Sequence, residues 1–298
     1  MTLKKILIVS GTHGNEINPV WAVNQFCNQD NIIDNNIEYK FTIGNPVAFE
    51  KGIRYLDTDL NRSFDFKKKL DKTNYEVDRA NFLVEKFGIN SSEPCEIAID
   101  LHTTTANMGT SIVMYGRRNK DFCLAALLQN KFGLPIYLHE NDKNQKGFLV
   151  EAWPCGLVIE IGSVAQNFYD PNIVNRFLII ISDLRDEINK LKNNLIKLPK
   201  ELVVHVHQGS IDYPREKNGC INGIIHPERI NQDWKQIKRG DPLFLNINDQ
   251  TIFYTGDNNI YPVFIGEVAY KEKKIAMSYT RKEVILSAEE WVKEFLSL

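Results

Sequence analysis

Ile6-Leu7-Ile8-Val9-Ser10-Gly11-Thr12-His13-Gly14-Asn15-Glu16 begins as an apolar, β-branched run and ends in a glycine-rich turn, after which Val20, Val23, Asn24 and Cys27 fall at helical spacing. This is the pattern of a strand that leaves through a loop into a helix, and it recurs. Residues 38–43 precede Gly44-Asn45-Pro46, 96–101 precede His102, 111–115 precede a helical stretch over 120–131, and 157–161 precede Gly162-Ser163. Strands alternating with helices predict an α/β sheet covered on both faces. One long amphipathic helix is expected over 172–197, with Leu178, Ile181, Leu184, Ile188, Leu191 and Leu195 near helical spacing and Pro199 ending it. Beyond Pro199, short runs at 202–206, 243–247, 251–254 and 261–265 are separated by Gly, Pro and Asn-Asp turns. The expectation is an α/β catalytic domain over residues 1–197 and a smaller, mostly β domain over 198–298.

A length of 298 residues suits about two domains. With 36 basic and 38 acidic residues the formal charge is -2, which excludes the strongly basic balance of a nucleic-acid binder. Hydrophobic content of 43% and charged content of 25% exclude disorder as the dominant state. No apolar run approaches the roughly 18 residues that a membrane span needs, and the opening apolar run is too short for a secretory leader. Cys27, Cys95, Cys123, Cys155 and Cys220 are scattered without a Cys-x-x-Cys pair, so free thiols in a reducing cytoplasm are expected. No heptad or apolar stripe announces an interface, and a homo-oligomer stays open.

His13 and Glu16 lie three apart in the first loop, outside the carboxyl end of a strand, where open α/β sheets build their sites. Alone, the pair also reads as a loop hydrogen bond or a helix cap. His102 follows its strand directly and adds a second imidazole. Two His and one Glu make the three-ligand set that holds catalytic zinc and keeps one position open for water. Asp100 shares a strand face with His102 and accepts either the second imidazole N–H or a backbone amide. Glu160 interrupts the apolar run Gly156-Leu157-Val158-Ile159-Glu160-Ile161-Gly162; a buried charge needs a site or a partner, so it is a candidate general base, with a structural salt bridge as the alternative. Thr103-Thr104-Thr105 reads as a source of turn and capping hydroxyls. Arg62 beside Asn61 can grip a carboxylate with two N–H groups, and Arg54 can polarise a carbonyl, although surface arginines are the plainer reading. His205 and His207 alternate on a predicted strand but have no third ligand nearby, and are read as polar-face histidines.

Taken together, Gly11-Thr12-His13-Gly14-Asn15-Glu16, Arg54-Tyr55 with Asp59-Leu60-Asn61-Arg62, Asp100-Leu101-His102, Ile159-Glu160-Ile161-Gly162, and Tyr261-Pro262-Val263-Phe264-Ile265 with Glu267 and Tyr270 resemble one family over nearly the whole chain. It is the aspartoacylase and succinylglutamate desuccinylase family of carboxypeptidase-A-like zinc hydrolases. The resemblance implies a mixed sheet flanked by helices, followed by the smaller β domain. It implies one zinc ion on His13, Glu16 and His102, Glu160 as catalytic carboxylate, substrate contacts from Arg54, Asn61, Arg62 and Tyr270, and Lys274 near the substrate carboxylates. The implied reaction is deacylation of a small N-acyl amino acid, N-acetyl-L-aspartate foremost, with N-acyl aromatic amino acids or succinylglutamate as alternatives. A zinc-containing protein that merely binds a small acid is the non-enzyme alternative. Animal members carry an arginine about ten residues before the catalytic glutamate, whereas the matching stretch here reads Lys146-Gly147-Phe148-Leu149-Val150-Glu151, which leaves Lys143 or Lys146 as substitutes. Because Tyr270 and Lys274 lie far along the chain, residues 1–197 alone are expected to hold zinc but turn over poorly.

Overall fold

The computed structural model describes residues 4–28, 33–34, 37–65, 74–140 and 145–298. The first part of the chain supplies strands β1 (Lys4–Ser10), β2 (Ile33–Asp34), β3 (Ile37–Ile43), β4 (Ile97–Thr103), β5 (Thr110–Tyr115), β6 (Ile136–His139) and β7 (Cys155–Ile161). Its helices are α1 (Ile17–Cys27), α2 (Pro46–Lys51), α3 (Tyr75–Phe87), α4 (Asn119–Phe132) and α5 (Pro171–Lys192). After α5 come β8 (Glu201–Ile211), β9 (Gly223–Ile225), β10 (Pro242–Asn246), β11 (Thr251–Phe253), β12 (Tyr261–Val263), β13 (Met277–Leu286) and helix α6 (Glu289–Leu296). Ten strands make one mixed sheet in the order β12-β13-β8-β6-β5-β7-β4-β1-β3-β2, and β9 to β11 make a small separate one.

The first strand is apolar throughout because both faces of the sheet are covered. Ile6 and Ile8 enter a core with Phe26 of α1, Leu124 of α4 and Phe177 of α5, whereas Leu7 and Val9 enter a second core with Leu83 and Phe87 of α3. Helix α5 starts where Asp170 accepts the Asn172 and Ile173 amides at 2.8 and 3.4 Å, ahead of Pro171 in the first turn. It ends at Lys192, five residues short of the expected 197. Asn194 takes the left-handed conformation (φ 56°), the Leu195 amide folds back to the Lys190 carbonyl at 2.8 Å, and Leu195 is exposed rather than on the apolar side.

Strands β6 and β13 are absent from the sequence reading, and β8 runs to Ile211 rather than stopping at 206. Strand β13 contains charged Arg281, Lys282 and Glu283 in succession, yet it pairs with β8 over ten residues and with β12 on its other side. Both continue the main sheet, since β8 lies parallel to β6 with Tyr137 opposite His205. Leu202, Val204 and Val206 of β8, with Trp291 and Phe295 of α6, belong to the same core as α1, α4 and α5, and Trp291 stacks on Phe122 with ring centroids 4.9 Å apart. Residues 1–197 taken alone would therefore lack part of the core that they share with β8 and α6. All five cysteines are free, and no helix among the described residues is long and apolar enough to cross a membrane.

The topology sets up the site. Strands β1, β4 and β7 run parallel side by side, with Ser10 opposite Leu101 and His102 opposite Glu160 at their carboxyl ends. Five lost side chains at about 1.5 to 3 kcal/mol each would match the whole net stability of a typical domain, about 5 to 15 kcal/mol. Residues 1–197 expressed alone are expected to show no cooperative thermal transition by circular dichroism. A sharp melt close to that of the full chain would show the first segment to be self-sufficient.

Candidate active site

The loop that carries His13 and Glu16 is shaped by close approach. Gly11 has φ 63°, and a Cβ on Gly14 would lie 2.1 Å from the Ala48 carbonyl carbon of α2. Glu16 occupies the N-cap position of α1 but makes no capping bond, which sets aside the helix-cap reading. Its buried carboxylate instead meets His13 Nδ1 at 2.6 Å and Arg54 at 3.3 Å through Oε1, and His102 Nδ1 at 3.1 Å and the Thr103 amide at 2.8 Å through Oε2. Burial would raise the Glu16 pKa, but the two imidazoles hold it well below the usual carboxylate range. His13, Glu16 and His102 are all buried, their ligand atoms lie within 4.8 Å of one another, and they are the one such group of three among the described residues.

Each imidazole is oriented from behind by a carboxylate. Asp100 Oδ2 meets His102 Nε2 at 2.7 Å while its Oδ1 accepts the Thr12 hydroxyl at 2.6 Å, so of the two readings for Asp100 the imidazole partner holds. Asp59 Oδ1 meets His13 Nε2 at 3.0 Å. In both rings Nδ1 is thereby left to face Glu16. Asp59 had no assigned role in the sequence, although its place two residues before Asn61 marks the cap of the 3-10 turn Leu60–Arg62, whose Asn61 amide it accepts at 2.9 Å.

The arm bearing Arg54, Asp59, Asn61 and Arg62 is held by Glu76 of α3, which the sequence reading also passed over. Fully buried, Glu76 accepts the Leu56 amide at 2.7 Å and the Asn45 side chain at 3.0 Å on Oε1, and the Asp57 and Thr58 amides at 3.0 and 3.1 Å on Oε2. A signal existed: 76, 80, 83 and 87 fall on one helical face, so a carboxylate stands on the side that Ala80, Leu83 and Phe87 bury.

His13, Glu16, Arg54, Asn61, Arg62, His102, Glu160 and Tyr270 line one cavity, of about 40 Å³ free volume. Glu160 Oε2 is buried without a hydrogen-bond partner among the described residues, so no salt bridge accounts for it. Burial pushes its pKa up to about 8 in spite of nearby His102. Asn61 Oδ1 accepts the Leu149 amide N–H at 2.8 Å. Arg62 donates to the Asn61 carbonyl at 2.7 Å and to Gln145 at 2.8 Å.

Tyr270 reaches the cavity because Glu267 clamps the turn Val268–Tyr270 onto the loop after β4. Glu267 Oε2 accepts the Thr104 hydroxyl, the Thr105 amide at 2.8 Å and the Ala106 amide at 3.2 Å, while Oε1 accepts the Ala269 amide at 3.1 Å. The threonine run thus serves an anchor from the far end of the chain. Lys274 does not line the cavity. It sits exposed in the left-handed conformation (φ 56°) at the end of a turn, and the neighbouring Lys273, also exposed, lies 3.9 Å from Asp59 and lines an adjacent pocket with Arg54 rather than this cavity. Burial and neighbouring Arg62 lower the Lys273 pKa to about 8. Lys146 is exposed, Lys143 lies outside the described residues, and Phe148, Leu149 and Val150 are buried where an arginine was sought. His205 meets Thr280 at 3.3 Å and His207 meets the Tyr137 hydroxyl at 2.8 Å, away from the triad.

Fold and site together define an α/β amidohydrolase, with clustered imidazole and carboxylate groups beside an acid that has one buried oxygen without a partner among the described residues. The family description "Succinylglutamate desuccinylase/Aspartoacylase catalytic domain" matches residues 2–188, and "AstE/AspA barrel-sandwich hybrid domain" matches residues 200–282. The chain belongs to the succinylglutamate desuccinylase/aspartoacylase family. It is similar to a "Probable aspartoacylase" of Prochlorococcus marinus strain MIT 9312, 73% identical over 99% of both chains, and to that of subspecies pastoris strain CCMP1986, 74% identical over 100% of both. Among solved structures it resembles murine aminoacylase 3, with a TM-score of 0.87 and 28% identity over 96% of this chain and 98% of that one.

The clustering carries a direct consequence. Wild-type protein is expected to retain one divalent ion per chain through exhaustive dialysis, His102→Ala to lose it and His205→Ala to keep it, by elemental analysis. Full stoichiometry in His102→Ala with loss in His205→Ala would reverse the assignment.

Proposed function

We propose that the chain is a zinc-dependent deacylase that hydrolyses N-acetyl-L-aspartate to acetate and L-aspartate. The observation that supports it most is Glu160: a buried carboxyl with one oxygen unpartnered, directly across the β4–β7 pair from His102. The residues present fit the metal, since two imidazole nitrogens and a carboxylate, each ring backed by its own aspartate, are the donor set of an open catalytic zinc site. When bound, zinc supplies Lewis acidity, polarising the amide carbonyl and acidifying the attacking water.

The protein's own groups do the rest. Glu160 takes the proton of the attacking water and delivers it to the departing amine nitrogen. Arg54, tethered by Glu16 and Asp59, donates to the oxygen on which charge develops. Arg62 and Asn61 hold the substrate α-carboxylate, and Tyr270 closes the cavity above it. Arg54, Arg62 and Lys273 give the site a cationic rim suited to a doubly acidic substrate. The residues beyond 197 thus complete the site. The five free thiols support a cytoplasmic setting.

Glu160→Gln is expected to keep metal and bind substrate while hydrolysing N-acetyl-L-aspartate very slowly; near-normal turnover would remove Glu160 from the mechanism. Arg54→Lys is expected to lower kcat by about 100-fold or more, as for loss of an oxyanion donor, whereas Arg62→Lys should also raise KM. Identical kinetic effects of the two would contradict the division of roles.

A further inference from the structure

Thr12 stands between Gly11 and His13 in the loop after β1, and it is fully buried although it does not line the cavity. Its hydroxyl reaches across to strand β4 and donates to Asp100 Oδ1 at 2.6 Å, 88 residues further along the chain. The other Asp100 oxygen meets His102 Nε2 at 2.7 Å. Among the described residues, these two groups are the hydrogen-bond partners of the Asp100 side chain, which is itself fully buried.

The hydroxyl has little freedom. A β-branched side chain is stiff at χ1, and the turn after β3 packs directly on it: a Cβ on Gly44 would lie 2.8 Å from both the Cα and the Oγ1 of Thr12. That turn is pinned to the same loop, since the Gly44 amide donates to the Ser10 carbonyl at 2.8 Å and the Asn45 amide to the Gly11 carbonyl at 2.9 Å.

The two imidazoles are therefore supported unequally. Asp59, behind His13, accepts the Asn61 amide at 2.9 Å, and its Oδ2 has Arg54 at 3.7 Å and Lys273 at 3.9 Å. Asp100, behind His102, relies on one hydroxyl. The terminal torsion of an aspartate is broad, so a carboxylate gripped only by the ring can turn, and the ring bonded to it turns as well.

We propose that Thr12 is a positioning residue for the metal: its hydroxyl fixes the Asp100 carboxylate, which holds the His102 ring with Nδ1 toward Glu16, and so sets how tightly the ion is bound. The inference rests on the zinc reading of the triad, not on the choice of substrate. Loss of the hydroxyl leaves all three ligands and the whole support of His13 in place, so what is lost is the preset orientation of one ring. Removing an outer partner of this kind costs about 10- to 100-fold in metal affinity.

The test is the zinc dissociation constant of the full chain, stripped of metal and titrated in competition with a metallochromic chelator. Thr12→Val keeps the branched shape and loses the hydroxyl, whereas Thr12→Ser keeps the hydroxyl. Thermal melts of the metal-free proteins are recorded alongside. The expected result is that Kd for zinc rises about tenfold or more in Thr12→Val and that Thr12→Ser recovers most of the affinity. A wild-type Kd in Thr12→Val, or a Thr12→Ser protein weakened as much as Thr12→Val, overturns the proposal. Should the valine protein fail to fold, Thr12→Ala, which only empties space, carries the same expectation, and wild-type affinity in it overturns the proposal equally. A wild type that holds no zinc overturns both this proposal and the zinc reading. Because affinity is read without turnover, a failure to hydrolyse N-acetyl-L-aspartate counts against the deacylase reading alone.

Discussion

The buried charge of Glu16 is the constraint around which the rest is arranged. A carboxylate removed from water is costly unless cations and donors replace the solvent, and here two imidazoles, Arg54 and the Thr103 amide do so. Those four partners arise from three separate stretches of chain. Strand β1 with its loop brings His13, strand β4 brings His102 and Thr103, and the arm before Leu60 brings Arg54. Each imidazole is then fixed by a further carboxylate, so the charge at the centre propagates outward through Asp59 and Asp100. The outermost layer is Glu76, which has no place in the cavity but determines where the arm lies by accepting three of its backbone amides.

The C-terminal third is bound into the same scheme by two means. Mechanically, β8 and β13 extend the main sheet and α6 fills its core. Chemically, Glu267 spans from the far segment to Thr104, Thr105 and Ala106, just past His102, and so fixes Tyr270 relative to the ligand cluster. A small separate sheet shares a third core, around Leu243, Phe244 and Ile260, with Met277 of β13.

Much was legible in the sequence because it is local chemistry. The strand-loop-helix pattern around Ile6 to Glu16 follows from β-branched residues, glycines and helical spacing. A lone acid inside an apolar strand, as at Glu160, declares a function since burial must be compensated. Two imidazoles and a carboxylate at strand ends declare a metal site by ligand type alone. The segments less legible were those whose pattern is blurred. Strand β13 carries Arg281, Lys282 and Glu283 in succession, and helix α5 stops at a left-handed Asn194 that no breaker residue announces before Pro199.

Tertiary structure alone decided the partnerships. Nothing local distinguishes Asp59 from other loop acids, or Lys273 from Lys274; which of two adjacent lysines comes within 3.9 Å of Asp59 depends on how the turn over residues 268–274 closes. The stack of Phe148 on Tyr115 is likewise a meeting of β5 with a loop more than 30 residues further along the chain. The sequence by itself therefore determined most of the element types and singled out His13, Glu16, His102 and Glu160, because these follow from residue chemistry and spacing along one segment. Which carboxylate orients which imidazole, and which acid holds the arm and the turn that line the cavity, were decided by long-range packing, since each requires two or more distant segments to be brought within hydrogen-bonding distance.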